Sequence, residues 1–238
     1  MKLSVIIPCF NEEELVVEVL KRLYEVFKSE EIHDFEIIVI DDFSSDKSFE
    51  AVKRYKDEEQ KTNLFLFGHH VNKGKGAAIQ FGFEKSKGDY IIIQDADLEL
   101  DCKDIPRMLA QLNDQVDFVN GSRYMSGVVR PLYAYKRYYL NKMFTRLASL
   151  LVDVRYTDIA CGYKLFSRSL LQKIQLNENR FGIEAEMIIK ATRLTKNRIV
   201  EVPVHHYPRN KGEGKKIRNL DGLRILWVIV KYGLFRVK

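Results

Sequence analysis

Cysteine is scarce in this chain, and its three copies, Cys9, Cys102 and Cys161, form no CxxC pair. An odd number without that spacing excludes a disulfide framework and a cysteine-based structural zinc site, and favours a reducing compartment. Long apolar runs are also missing. The longest near the C-terminus, ILWVIV (225–230), lies between Arg224 and Lys231 and falls far short of the roughly 20 residues a membrane-spanning helix needs. At the N-terminus, MKLSVIIPCFNEEE meets acids too soon for a secretory leader. Proline numbers five and tryptophan one, and no Pro/Gly-rich linker, low-complexity tract or internal repeat divides the chain.

What is present is an ordinary globular composition. The 238 residues are 46% hydrophobic and 30% charged, enough for a sizeable core. A net charge of +6 favours anionic partners: nucleic acid, phosphate-bearing ligands or an anionic membrane surface.

The first half alternates strand and helix patterns. Apolar runs LSVII (3–7), FEIIVI (35–40), LFLF (64–67), YIII (90–93) and VDFVNG (116–121) read as strands. Segments 13–27, 44–55, 74–86 and 105–112 carry helical spacing. Such alternation predicts a mostly parallel sheet covered by helices on both faces, an α/β fold in one continuous domain. Beyond Gly121 come a basic, aromatic helix over 130–152 and a strand–helix unit (161–167 and 182–194). A strand at 199–207 follows, then a polar loop at 208–216 and an amphipathic helix at 221–235.

Ligands of open α/β sheets bind beyond the carboxyl ends of the strands. Four strands here end in polar groups: Pro8-Cys9-Phe10-Asn11-Glu12, Asp41-Asp42, Asp95 to Glu99, and Gly121-Ser122-Arg123. In QDADLEL (94–100) the acids Asp95, Asp97 and Glu99, followed by Asp101, recur at every second residue. On an extended chain all would face one way, which is costly unless a positive charge sits among them. Carboxylate oxygens suit Mg²⁺ or Mn²⁺. The plainer alternative is a solvated turn whose acids cap the helix beginning near Asp104. The turn NKGKGAA (72–78) could cradle a phosphate at a helix N-terminus, but lacks the P-loop and dinucleotide spacings, so simple helix entry is the stronger reading. His205-His206 has no third metal ligand nearby. The basic aromatic segment lacks any nucleic-acid-binding module, and a polyanion would meet the acids, so no nucleic acid partner is expected.

Taken together, PCFNEEE, IDDFSSDKS, NKGKGAAI, DADLE, GSRY, TDIACGYKLFSR, RFGIEAE and VPVHHYPRNKGEGKKI resemble, in order, the nucleotide-sugar glycosyltransferases of family 2. The likeness is to the dolichyl-phosphate mannose synthase type and covers almost the whole chain. It implies a GT-A catalytic domain over 1–218; the C-terminal helix over 219–238, with Leu223, Leu226, Trp227, Val230, Leu234 and Phe235 beside Arg224, Lys231, Arg236 and Lys238, can lie in a membrane interface or pack against the sheet. It also implies an inverting transfer of a hexose from a nucleoside-diphosphate sugar, of GDP-mannose or UDP-glucose type, to a polyprenyl phosphate. By that resemblance Pro8, Phe10, Asn11, Glu12, Asp41, Asp42 and Lys75 bind the nucleotide sugar. Asp95 and Asp97 bridge Mg²⁺ or Mn²⁺ to the diphosphate, with Glu99 where relatives often carry Gln. Arg123, Arg137, Arg209 and Lys215 hold phosphates, and Asp97, Arg123 and Arg209 carry the catalytic role. Glu184 and Glu186 are base candidates for a hydroxyl acceptor, or simply one helical face. A saccharide or protein acceptor, and a binding protein without turnover, are the alternatives. The enzyme is expected at the cytoplasmic face of a membrane, held peripherally or through a membrane-protein partner.

Overall fold

The computed structural model describes residues 1–125, 135–195, 198–209 and 219–235; the side chains of residues 136, 137, 219 and 220 lie outside that description. Seven strands form one sheet: β1 (Leu3–Cys9), β2 (Phe35–Asp41), β3 (Leu64–Gly68), β4 (Tyr90–Ile93), β5 (Phe118–Ser122), β6 (Lys164–Ser167) and β7 (Ile199–Pro203), in the order β3-β2-β1-β4-β6-β5-β7. Only β6 runs against its neighbours, pairing antiparallel with β4 and β5. The mostly parallel α/β sheet expected from the alternation is therefore what forms.

Helices α1 (Val16–Ser29), α2 (Ser48–Glu58) and α3 (Lys75–Lys85) connect the first four strands. A 3₁₀ turn (Cys102–Asp104) leads into the short α4 (Ile105–Leu109), and α5 (Tyr135–Val152), α6 (Arg168–Leu171), α7 (Ile183–Thr195) and α8 (Asn219–Gly233) complete the chain. Because strand side chains alternate faces, the sheet feeds two cores. Leu3, Val5, Ile7, Ile37 and Val39 pack with α1 through Val16, Leu20, Leu23 and Phe27. Ile93, Phe118 and Phe166 pack on the other side with Ile188 of α7 and Val228, Ile229 and Tyr232 of α8.

Strand register sets the site. Cys9 of β1 is level with Asp41 of β2, and Asp41 with Gly68 of β3, so these strands end at one edge. β4 stops earlier, where Ile93 pairs with Ile6, while β1 continues through Ile7, Pro8 and Cys9. The chain after β4 must therefore turn inside the sheet edge, and that is where the acids lie.

Here the structure departs from the sequence reading. Residues 96–99 are bent, so the four acids do not share one face of an extended strand. Asp97 Oδ1 accepts the backbone N–H of Glu99 at 3.0 Å, tightening the bend. Asp101 turns away and accepts from Lys103 N, capping the 3₁₀ turn. The strand read over 199–207 pairs only to Pro203; His206 then bridges singly to Leu100, which brings the downstream segment against the acidic bend.

Candidate active site

A cleft of about 610 Å³ opens at the carboxyl edge of the sheet. Pro8 enters it from the end of β1, Phe10 and Glu12 from just beyond, Asp42 from just beyond β2, and Asp95, Asp97 and Glu99 from the chain after β4. Lys75 arrives from the first turn of α3, Arg123 from beyond β5, Glu184 from α7 and Arg209 from beyond β7. A second groove of about 480 Å³, lined by Tyr24, Tyr55 and Phe35, opens at the other end of the strands, where β2 begins.

The positive charges among the acids are side chains. Lys75 Nζ lies 2.7 Å from Asp95 Oδ1 and 2.8 Å from Glu184 Oε1. Burial disfavours its charge, but Asp95 and Glu184 outweigh burial and hold its pKa above the usual lysine value. Gly162 lets Asp95 in: a Cβ there would stand 2.4 Å from Asp95 Oδ2. Arg209 grips Glu12 with both terminal nitrogens, each at 3.0 Å, and Asp97 Oδ2 with Nη2 at 2.8 Å. Its Nε is buried with no hydrogen-bond partner. Its backbone N–H donates to Glu99 Oε1 at 3.0 Å. Burial, then the charges of Asp95 and Glu99, push the Asp97 carboxyl up to about 6 in spite of Arg209. His206 Nε2 reaches Glu99 Oε2 at 3.3 Å, and burial lowers its pKa, favouring the neutral ring. Among the described residues, no group of three His, Cys, Asp or Glu side chains is arranged to hold a metal ion by itself.

Arg123 reaches the cleft but is tied behind it. Its Nε donates to Asp158 Oδ2 at 2.7 Å, and its Nη2 to Asp158 Oδ1 and to the carbonyl of Ala160, each at 3.0 Å. Asp158 also accepts from Asn141 of α5 at 2.8 Å and from the backbone N–H groups of Arg123 and Ala160. Burial alone would raise the Asp158 pKa; the Arg123 charge and these donors hold it below the usual range.

Asp42 has a structural task as well. It accepts from Lys73 N at 2.9 Å, Gly74 N at 2.7 Å and His69 Nδ1 at 2.7 Å. Those amides of the glycine-rich turn are thus bound to protein, and the turn serves as a helix entry. Gly74 has φ +100, and a Cβ on Gly76 would stand 2.1 Å from the Glu178 carbonyl, so glycine is what the turn's conformation and packing require. Asn11 and Asp41 do not line the cleft. Asn11 Oδ1 accepts from Ser45 N, and Asp41 from Ser44, locking the loops after β1 and β2 together. Glu186 is fully buried, accepting the N–H groups of Asn177 and Glu178 and paired with Lys190. Lys215 and the Arg137 side chain lie outside the described residues.

Arg180 was not singled out by the sequence. It stands exposed just before α7 and lines the cleft, and among the described residues its guanidinium has no hydrogen bond or ion pair. The available signal was RFGIEAE, where the two glutamates drew attention instead.

Similarity to known proteins agrees with this geometry. The chain is 30% identical over 248 residues to a dolichyl-phosphate beta-glucosyltransferase of Trichomonas vaginalis, covering 98% of this chain and 73% of that one. It is 29% identical to a dolichol-phosphate mannosyltransferase of Pyrococcus furiosus, over 90% of this chain. It is also 29% identical to an undecaprenyl-phosphate 4-deoxy-4-formamido-L-arabinose transferase of Pseudomonas fluorescens, over 89% of this chain. The chain spans only 59% of the length of each of these two relatives. In fold it resembles glucosyl-3-phosphoglycerate synthase of Mycobacterium tuberculosis, a GT-A enzyme, with TM-score 0.74 at 18% identity over 98% of this chain and 80% of that one. A structure of that synthase holds Mn²⁺, UDP-glucose and phosphoglyceric acid, with TM-score 0.72 at 17% identity over 97% of this chain and 79% of that one. The profile of Glycosyl transferase family 2 matches residues 4–175, and the chain belongs to that family.

Proposed function

We propose that this glycosyltransferase moves a hexose from a nucleoside-diphosphate sugar to a polyprenyl phosphate in the cleft, with a divalent cation as cofactor. The observation that carries the acceptor is the state of the two base candidates on α7, Glu184 in the cleft and Glu186 behind it. Glu184 is held by Lys75 and Glu186 is buried in backbone contacts, so neither is placed as a ready base. An alcohol acceptor needs a base, whereas a phosphate is already ionised at neutral pH and needs only positioning. The names of the relatives, two acting with dolichyl phosphate and one with undecaprenyl phosphate, support the same class.

The donor set suits a hard cation. Asp95, Asp97 and Glu99 bring carboxylate oxygens to one bend, and Mg²⁺ is commonly held by one or two carboxylates with phosphates and water completing its shell. Such an ion supplies positive charge to the departing diphosphate and orients it. Pro8 and Phe10 offer the apolar wall for the base, and Lys75, Arg180 and Arg209 the cations for phosphates. Arg123 braces the 158–160 segment that forms the cleft wall, so its part is positioning.

A long-chain acceptor must be met at a membrane. On α8, Val228, Ile229 and Tyr232 are buried while Leu223 and Trp227, with Leu234 and Phe235 just beyond the helix, are exposed. On α5, which packs against α8, Tyr135, Tyr139, Met143 and Leu150 are exposed too. That apolar surface supports an interfacial seat for both helices; among the described residues, no helix is long and apolar enough to cross a membrane. α8 also closes the core, so this helix packs as part of the same folded unit as the sheet. The acceptor is tested by offering a short polyprenyl phosphate and the matching polyprenol in parallel. Transfer to the phosphate alone is expected, and equal transfer to the alcohol would overturn the reading.

A further inference from the structure

We propose that Arg209 is a resident counter-ion of the acidic bend, which competes with the divalent cation for Asp97 until a donor diphosphate gives the guanidinium another partner. The inference rests on the metal-dependent reading above and adds a sign to it. In this structure Arg209 is bound where charge is most crowded: Nη2 on Asp97, both terminal nitrogens on Glu12, the backbone N–H on Glu99. Asp97 Oδ2 thus already carries a positive side chain, and a cation that takes that oxygen competes with Nη2.

Two features mark this as a resting position rather than a final one. Arg209 Nε is buried and makes no hydrogen bond, its nearest acid being Glu99 Oε1 at 3.8 Å, whereas Arg123 has its Nε on Asp158 at 2.7 Å. Arg209 also follows Tyr207 and Pro208 in a stretch that belongs to no helix or strand, so no regular hydrogen-bond ladder fixes its backbone. A guanidinium matches phosphate oxygens with two parallel N–H donors. A diphosphate brought to the bend would therefore offer Arg209 a two-pronged partner in place of Asp97, which takes only its Nη2. The consequence is a coupling between ions. Without nucleotide, Arg209 opposes the metal; with nucleotide, it adds to binding.

Mn²⁺ binding followed by electron paramagnetic resonance of the free ion tests this without turnover. For Arg209→Ala without nucleotide, Mn²⁺ should bind roughly tenfold tighter than to the wild type, within the range usual for coupled sites. With UDP or GDP present that gain should vanish or reverse. Arg209→Gln should follow Arg209→Ala, and Arg209→Lys, which keeps the charge, should stay near wild type. Unchanged or weaker Mn²⁺ binding by both neutral variants would overturn the competition while leaving the metal site standing. If the wild type shows no saturable Mn²⁺ binding with either nucleotide, the metal-dependent reading falls and the competition with it.

Discussion

Two arginines in this cleft each grip a carboxylate with two nitrogens, and their surroundings differ. Arg123 holds Asp158, which is fully buried, bound on both oxygens and further satisfied by Asn141 and two backbone N–H groups. Arg209 holds Glu12 and Asp97, which face the cleft, and its Nε makes no hydrogen bond, standing 3.8 Å from Glu99 Oε1. The first pair is closed on the carboxylate side, with protein donors on both Asp158 oxygens. The second is open to exchange. Similar pairing geometry therefore marks architecture when every donor and acceptor is satisfied in the interior, and function when the satisfaction is partial and at a cavity wall.

The sharpest way to break this contrast is to cut both pairs. Arg123→Ala leaves the Asp158 charge buried and uncompensated, and should cost about 3–5 kcal/mol of stability, read as a lower midpoint in chemical denaturation. A loss of activity with unchanged stability would instead make Arg123 a substrate ligand. Asp97→Ala should do the reverse: the fold survives and transfer falls by about 10²–10³-fold, the scale of losing a group that stabilises a transition-state charge. Arg209→Ala should raise the donor Michaelis constant by about tenfold, equivalent to about 1.4 kcal/mol, with a midpoint close to wild type. A large fall in stability would place Arg209 with Arg123.

Acid should separate the two pairs as well. The Asp158 pKa is lowered in the folded protein, so its contribution is complete above the usual aspartate range and is lost as pH falls through the folded value. Acid unfolding should therefore be less steep in Asp158→Asn than in the wild type, and identical pH profiles would contradict the closed pair. The smallest effect is expected for Glu184→Gln, whose carboxylate is held by Lys75: transfer should change by no more than a few-fold. A deep loss that grows toward low pH in the wild type would restore Glu184 as a base.

Much of this was legible before any coordinates. The apolar runs and the helical spacing between them reproduce the element order, because both reflect local periodicity and burial. The convergence of Pro8, Phe10, Glu12, Asp42, Asp95 and Arg123 followed from the rule that parallel strands present their carboxyl ends together. The failures have one cause: they depend on contacts distant in sequence. Arg209 and Glu12 are 197 positions apart, and Arg123 and Asp158 are 35 apart. Nothing local indicates which arginine is spent inward and which outward. The alternation of Asp95, Asp97, Glu99 and Asp101 reads as a strand, but β4 is paired only to Ile93, and the chain that follows gives Asp95 to Lys75, Asp97 and Glu99 to Arg209, and Asp101 to Lys103 N. Arg180 sits in RFGIEAE, where no local spacing distinguishes it from a surface arginine, and only the folded cleft places it beside the acids.

The central claim is hexosyl transfer to a lipid phosphate at the acidic bend. It is tested most directly by incubating wild type and Asp97→Ala with labelled UDP- and GDP-hexoses, a short polyprenyl phosphate and Mn²⁺, and counting label in the lipid phase. Lipid-linked label from one donor, dependent on Mn²⁺ and lost in Asp97→Ala, is the expected result. Absence of lipid-linked label with every donor, or transfer that Asp97→Ala leaves intact, would contradict it.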